Sequence, residues 1–177
     1  MKQKNIKEIL KDYFFTHPTV KIRVRELERA LTLSLPSVIR YCKELEEEGI
    51  VTTVCLGSVR FYTPNRGSEH YLLEKKISNI KKIYTSGIIQ YLKINLGNPA
   101  VILFGSFSKG EDTETSDIDL YVETVSPKKI GFDQFEKLLN KNIHVVRHTS
   151  LRLMRNKNLA NNIINGIILN NQVEVFT

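Results

Sequence analysis

No run of apolar residues in this sequence approaches the ~20 needed to cross a bilayer, so membrane spanning is not expected of it. The opening "MKQKNIKEIL" lacks the apolar stretch and small-residue cleavage site of a secretory leader, which makes the cytoplasm the expected location. Cysteine is scarce. Cys42 and Cys55 have neither the C-x-x-C spacing of a zinc or redox site nor the number of a disulfide framework, and buried free thiols are expected. Internal repeats and low-complexity tracts are absent too. What remains is an ordinary globular composition: 177 residues, 41% apolar, enough for one domain or two small ones. The formal charge of +7 favours a polyanionic partner such as nucleic acid.

The first third alternates helical signals. Ile6, Ile9, Leu10, Tyr13 and Phe14 recur at three and four, predicting a helix that His17-Pro18 stops. Val24, Leu27 and Leu31 predict a second. In a third, Pro36 opens the helix, Val38, Ile39, Cys42 and Leu45 face inward, and Gly49 closes it. The period then changes to two: "IVTTVCL" and "VRFYTP" flank Gly57-Ser58, the pattern of a β-hairpin with a tight turn.

This order of three helices and a hairpin resembles the winged helix-turn-helix family over residues 1–66. The resemblance implies that the third helix enters the major groove of double-stranded DNA with its N-terminal turns leading, while the hairpin lies along the backbone or the minor groove. Ser37, Arg40 and Lys43 would then face DNA, with Arg60 and Arg66 near the wing. Arg40 suits a guanine edge or a phosphate; Lys43 suits a phosphate.

Residues 67–97 read as a connecting helix, with a break at Ser86-Gly87. Leu73, Ile77, Ile80, Tyr84, Ile88 and Tyr91 keep helical spacing, and lysines crowd the other faces. That stripe is either a homodimer seam or a surface packed on the following domain.

In residues 98–177 the apolar run "AVILF" reads as a buried strand delivering a Gly-Ser turn. Gly105 admits a phosphate close to the backbone, Ser106 adds a hydroxyl and an amide, and Lys109 lies one turn on. In "SDIDLYVET" the alternation of a strand sends Ile118, Leu120 and Val122 one way and Asp117 and Asp119 the other, about 7 Å apart. Two carboxylates so placed repel each other. A divalent cation reverses the sign, and Mg²⁺ completes its shell with water and phosphate oxygens, so the carboxylates and the turn suit one guest, a metal-bound nucleoside triphosphate.

"GSFSKG", ten residues between Ser106 and Asp117, and "SDIDL" resemble the signature of the DNA polymerase β-type nucleotidyltransferase superfamily, in particular its minimal members. The resemblance implies an α/β nucleotidyltransferase fold with a small mixed sheet, and an α+β chain as a whole. It implies phosphate binding by Gly105 and Ser106, and Mg²⁺ or Mn²⁺ held by Asp117 and Asp119. The reaction implied is transfer of a nucleoside monophosphate from a triphosphate to a hydroxyl, with two-metal stabilisation of the attacking and leaving oxygens. Active members carry a third carboxylate on the strand after the next helix. Here that strand reads "NIHVVRH", and His144 aligns with the acid. An imidazole can ligate a metal or accept a proton, but it adds no negative charge. Glu123, on the face shared with Asp119, or Glu174 could substitute if the fold brings either near, and Arg147 and His148 are candidates to meet phosphate. Three functions stay open: a DNA-binding transferase, a transcriptional regulator whose second domain binds nucleotide or protein without turnover, and an antitoxin-like protein acting on a toxin partner.

Overall fold

The computed structural model describes residues 5–174. The chain divides between Ser78 and Asn79 into two compact units.

The first unit holds α1 (Ile6–Thr16), α2 (Val24–Leu31) and α3 (Leu35–Glu47), then β1 (Val51–Leu56) and β2 (Val59–Pro64). Asn5 starts α1 by accepting a hydrogen bond from the Lys7 amide. Pro36 falls in the first turn of α3, where its missing N–H leaves no helical bond unmade. The strands form an antiparallel hairpin from Val51↔Pro64 to Leu56↔Val59, and a two-way bridge joins Ile22 to Tyr62 on β2. Leu10, Phe14, Leu27, Val38, Cys42, Leu45 and Ile50 make the core.

Two expectations fail here. Ile39 is 40% exposed rather than inward, because the inward face of α3 is already filled by Val38, Cys42 and Leu45 at spacings of four and three. Cys55 is exposed on β1, whereas Cys42 is fully buried and its thiol is pushed up to about 12 by burial.

The segment after the hairpin is two helices, α4 (Glu69–Ser86) and α5 (Ile88–Leu96). Gly87 separates them at φ +81°, a left-handed conformation that a side chain resists. On α4, Leu73, Ile77 and Tyr84 stay 52%, 52% and 50% exposed.

The second unit continues through β3 (Ala100–Phe104), α6 (Gly105–Lys109), β4 (Ile118–Glu123), α7 (Asp133–Leu139), β5 (Ile143–His148), a 3-10 turn (Leu151–Leu153), α8 (Lys157–Ile164) and β6 (Ile167–Asn170). Its sheet is small and mixed, in the order β5-β4-β3-β6: β3 runs antiparallel to β4 and β6, and β4 runs parallel to β5. Every residue of β3 is buried, as its unbroken apolar run requires of a strand covered on both faces. One face packs Val101, Leu103, Ile118, Leu120 and Val122 against Ile88, Leu92, Leu96 and Phe135. The other packs Ile102, Phe104 and Tyr121 against Leu151, Met154, Ala160 and Ile163. The chain is a mixed α+β protein.

Candidate active site

Strand register gathers the polar residues at one end of the mixed sheet. Phe104, the last residue of β3, pairs with Asp119, and Asp119 pairs with His144 on β5. Gly105, Asp119 and His144 therefore come from three adjacent strand ends. Asp117 lies one residue before β4, and the side chain of Asn142, just before β5, donates to its Oδ1 at 3.1 Å.

Gly105 sits at φ +72°, and a Cβ built on it would lie 2.2 Å from Asp119 Oδ2. No other residue leaves room for that carboxylate, so the glycine has a function that its place in the turn does not convey: it seats Asp119 as well as opening the turn. Asp119 Oδ1 is 3.2 Å from His144 Nδ1, and the His144 ring is 62% exposed. Ser106 follows in the first turn of α6, and Ser108 fastens that turn by donating to the Gly105 carbonyl at 2.7 Å. Lys109 ends α6 with its side chain in solvent.

The loop from α6 to β4 is tied down by residues the sequence did not flag. Asn79 donates to Asp112 Oδ1 at 2.8 Å and to the Phe107 carbonyl at 2.9 Å, with Asn79 and Asp112 both buried. Lys141 donates to the carbonyls of Thr113 and Ser116 at 2.6 and 3.1 Å and stands 3.6 Å from Asp112 Oδ2. A buried amide and a half-buried lysine on backbone carbonyls hold the approach to Asp117 in one shape.

The other acids and cations lie elsewhere. Glu123 is at the opposite end of β4, about 13 Å along the strand from Asp119, where its Oε2 accepts from the Tyr121 hydroxyl and the Leu151 amide. Burial together with that carboxylate holds the Tyr121 phenol far above its ordinary pKa. Glu174 is paired with Arg152. Arg147 is engaged by the Ser126 and Lys128 carbonyls, and His148 is register partner to Glu123. The substitution of Glu123 for a third acid beside Asp119 is thus corrected: it shares the face of Asp119 but not its end of the strand.

Among the described residues, no three His, Cys, Asp or Glu side chains are grouped to hold a metal ion. Two carboxylates from one strand end still fit Mg²⁺, which takes one or two protein carboxylates and leaves the remaining positions to water and substrate phosphates. Asp117 and Asp119 would be those ligands, and His144 is within reach of Asp119.

In the first unit, Ser37 accepts from the Ser34 hydroxyl at the start of α3. Arg40 lies over the Tyr41 ring at 4.3 Å and reaches Glu44 at 3.7 Å. Lys43 is exposed on the same helix. Arg60 on β2 contacts Thr53 and Glu46. Arg66 lies two residues beyond Pro64, which pairs with Val51 at the base of the hairpin, so it sits away from the tip at Gly57-Ser58.

Two likenesses bear on this arrangement. The model of the nucleotidyltransferase domain family matches residues 85–165, from the end of α4 through α8. A Methanocaldococcus jannaschii protein, whose name provisionally assigns it protein adenylyltransferase activity, is 34% identical over 82 residues, which is 44% of this chain and 94% of that one. With such identity along nearly the whole of a relative, and with the site formed inside the matched segment, the chain belongs to the nucleotidyltransferase domain family.

Proposed function

We propose that this is a DNA-binding protein whose second unit transfers a nucleoside monophosphate from a nucleoside triphosphate to a hydroxyl, with Mg²⁺ or Mn²⁺. The observation that carries the transferase half is the packing of Asp119 against Gly105, with Asp117 beside it: the phosphate turn and the metal-binding carboxylates share one strand end. The amides after Gly105 and the Ser106 hydroxyl receive the phosphates, and Lys109 offsets their charge. A bound divalent ion would neutralise charge building on the transferring phosphoryl group and hold the attacking and leaving oxygens. His144 accepts the proton of the acceptor hydroxyl as its oxygen bonds to the α-phosphorus and pyrophosphate departs. The name of the archaeal relative favours ATP as donor and a protein hydroxyl as acceptor.

The first unit would act as a winged helix-turn-helix. Its order of three helices and a hairpin, the exposure of Arg40 and Lys43 on α3, and the net charge of +7 support that reading. The exposed stripe of Leu73, Ile77 and Tyr84 on α4 supports a homodimer.

A second reading draws on His144. With an imidazole in the aligned position of the third acid, and Glu123 and Glu174 engaged elsewhere, the unit would bind a nucleotide or a protein without turnover, as in a transcriptional regulator or an antitoxin. One experiment separates the two: purified protein with Mg²⁺ or Mn²⁺ and labelled triphosphates releases pyrophosphate, and Asp117→Ala with Asp119→Ala abolishes the release. Silence with every acceptor tried favours the regulator.

A further inference from the structure

Beside Asp117, on the β5 side, lies a cleft of about 360 Å³, within the range of small-ligand sites. Its walls are the loop before β4, the end of α7 and the turn into β5, with Thr115, Ser116, Asp117, Lys137, Asn140 and Asn142 among the lining residues. Resting on the transferase reading above, we infer that this cleft holds the nucleoside of the triphosphate, its base and sugar, and so sets which nucleotide is used.

Three features support this. First, the walls are fixed by bonds internal to the protein: Lys141 holds the Thr113 and Ser116 carbonyls, Glu136 accepts from the Ile143 amide at 2.9 Å, and Asn142 Nδ2 holds Asp117. A pre-formed cleft binds without the ordering penalty of a loose loop. Second, the atoms left over are those a nucleoside needs. Asn142 Oδ1, the Asn140 side-chain amide and the Lys137 ammonium are on exposed residues at the rim and have no hydrogen-bond partner among the described residues, and side-chain amides of this kind read the donors and acceptors of a base or a ribose. Third, electrostatics orients the substrate. With Asp117 given to the metal, the carboxylates of Glu114 and Glu136 balance the ammoniums of Lys137 and Lys141 on the lining, so the cleft has no net charge to compete with the Gly105 turn for the polyphosphate. Gly105 lies across Asp119 on the β3 side, and the strand order β5-β4-β3 puts the cleft and the phosphate turn on opposite sides of the carboxylates. A triphosphate laid over Gly105 and Ser106 therefore has its uncharged end free to reach the cleft.

The test is calorimetric titration of the full chain in Mn²⁺, with ATP and separately with inorganic tripolyphosphate, for the wild type and for Lys137→Ala with Asn140→Gly. Asn140 has φ +50°, so glycine keeps its backbone. Affinity for ATP should fall about tenfold or more, the scale of losing a hydrogen bond to a charged group and a neutral one, while tripolyphosphate affinity stays within about twofold and verifies that the variant is folded. Unchanged ATP affinity overturns the inference, as does an equal fall for both ligands. If ATP affinity is kept but transfer to an acceptor is lost, the cleft belongs to the acceptor and the inference is wrong. Wild type that binds neither ligand defeats the transferase reading itself, whereas wild type that binds both, with ATP indifferent to the variant, defeats only the assignment of the cleft.

Discussion

The two units hold their candidate functional side chains in opposite ways. In the second, short side chains are fixed by their surroundings: Asp119 against the Gly105 α-carbon and His144, Asp117 on Asn142, and the loop from α6 to β4 on Lys141. In the first, Arg40, Lys43, Arg60 and Arg66 are long and solvent-facing, and those with partners reach Glu44 or Glu46 across their own surface. Group transfer requires atoms positioned to within an ångström, and contact with a polyanion requires only charge within reach. A small steric change should therefore be ruinous in the second unit, while a change that keeps charge should be tolerated in the first.

The sharpest way to break the comparison is Gly105→Ala. The added Cβ meets Asp119 Oδ2 at 2.2 Å at a backbone φ of +72°, so the carboxylate must move. Pyrophosphate release should fall by about a hundredfold or more, and circular dichroism should show the fold kept; an active Gly105→Ala protein would mean that Asp119 need not be where it is. His144→Ala should lower turnover by about a hundredfold, the lower range for loss of a proton acceptor, with Mn²⁺-dependent ATP binding kept. Equal turnover in the two proteins would remove His144 from the chemistry.

In the first unit, Arg40→Ala should weaken duplex binding by about five- to tenfold and reduce the salt slope by about 1, the share of a single phosphate. Arg40→Lys should recover most of the salt-dependent part, because a phosphate tolerates either cation. An unchanged affinity, or a slope near zero, would argue that the +7 charge has another purpose. The smallest effect separates two thiols within the one unit. An aromatic disulfide reagent at pH 8 should label Cys55 alone in the native protein, since Cys42 is buried with its thiol pushed up to about 12, and both after denaturation. Two thiols reacting at once in the native state would mean that the core around Cys42 opens readily.

Much of this was legible in the sequence where the signal is local. The 3.6 period of Leu10 and Phe14, or of Val38, Cys42 and Leu45, is imposed by one helix on one core. "AVILF" before a Gly-Ser turn is a single strand and "SDIDL" leads into another, and they carried the family resemblance that the matched segment supports. What escaped depends on elements far apart in the chain. Asn79 and Asp112, Lys141 and Thr113, and Asn142 as the partner of Asp117, look like surface polar residues until the fold brings a loop, a helix and a strand end together. Ile39 and Cys55 escaped for the converse reason: an apolar residue reads as inward, but the inward face of α3 was already filled, and Cys55 lies near the hairpin tip, where Leu56 is exposed as well. Glu123 illustrates a third limit, because shared strand face gives no distance along the strand.

The central claim is that Asp117, Asp119 and the Gly105-Ser106 turn form one site for a metal-bound nucleotide. Its most direct test is titration of ATP into the wild type and into Asp117→Ala with Asp119→Ala, each with and without Mn²⁺. Heat of binding should appear only for the wild type with metal present. Equal binding by the double variant, or wild-type binding indifferent to metal, would contradict the claim.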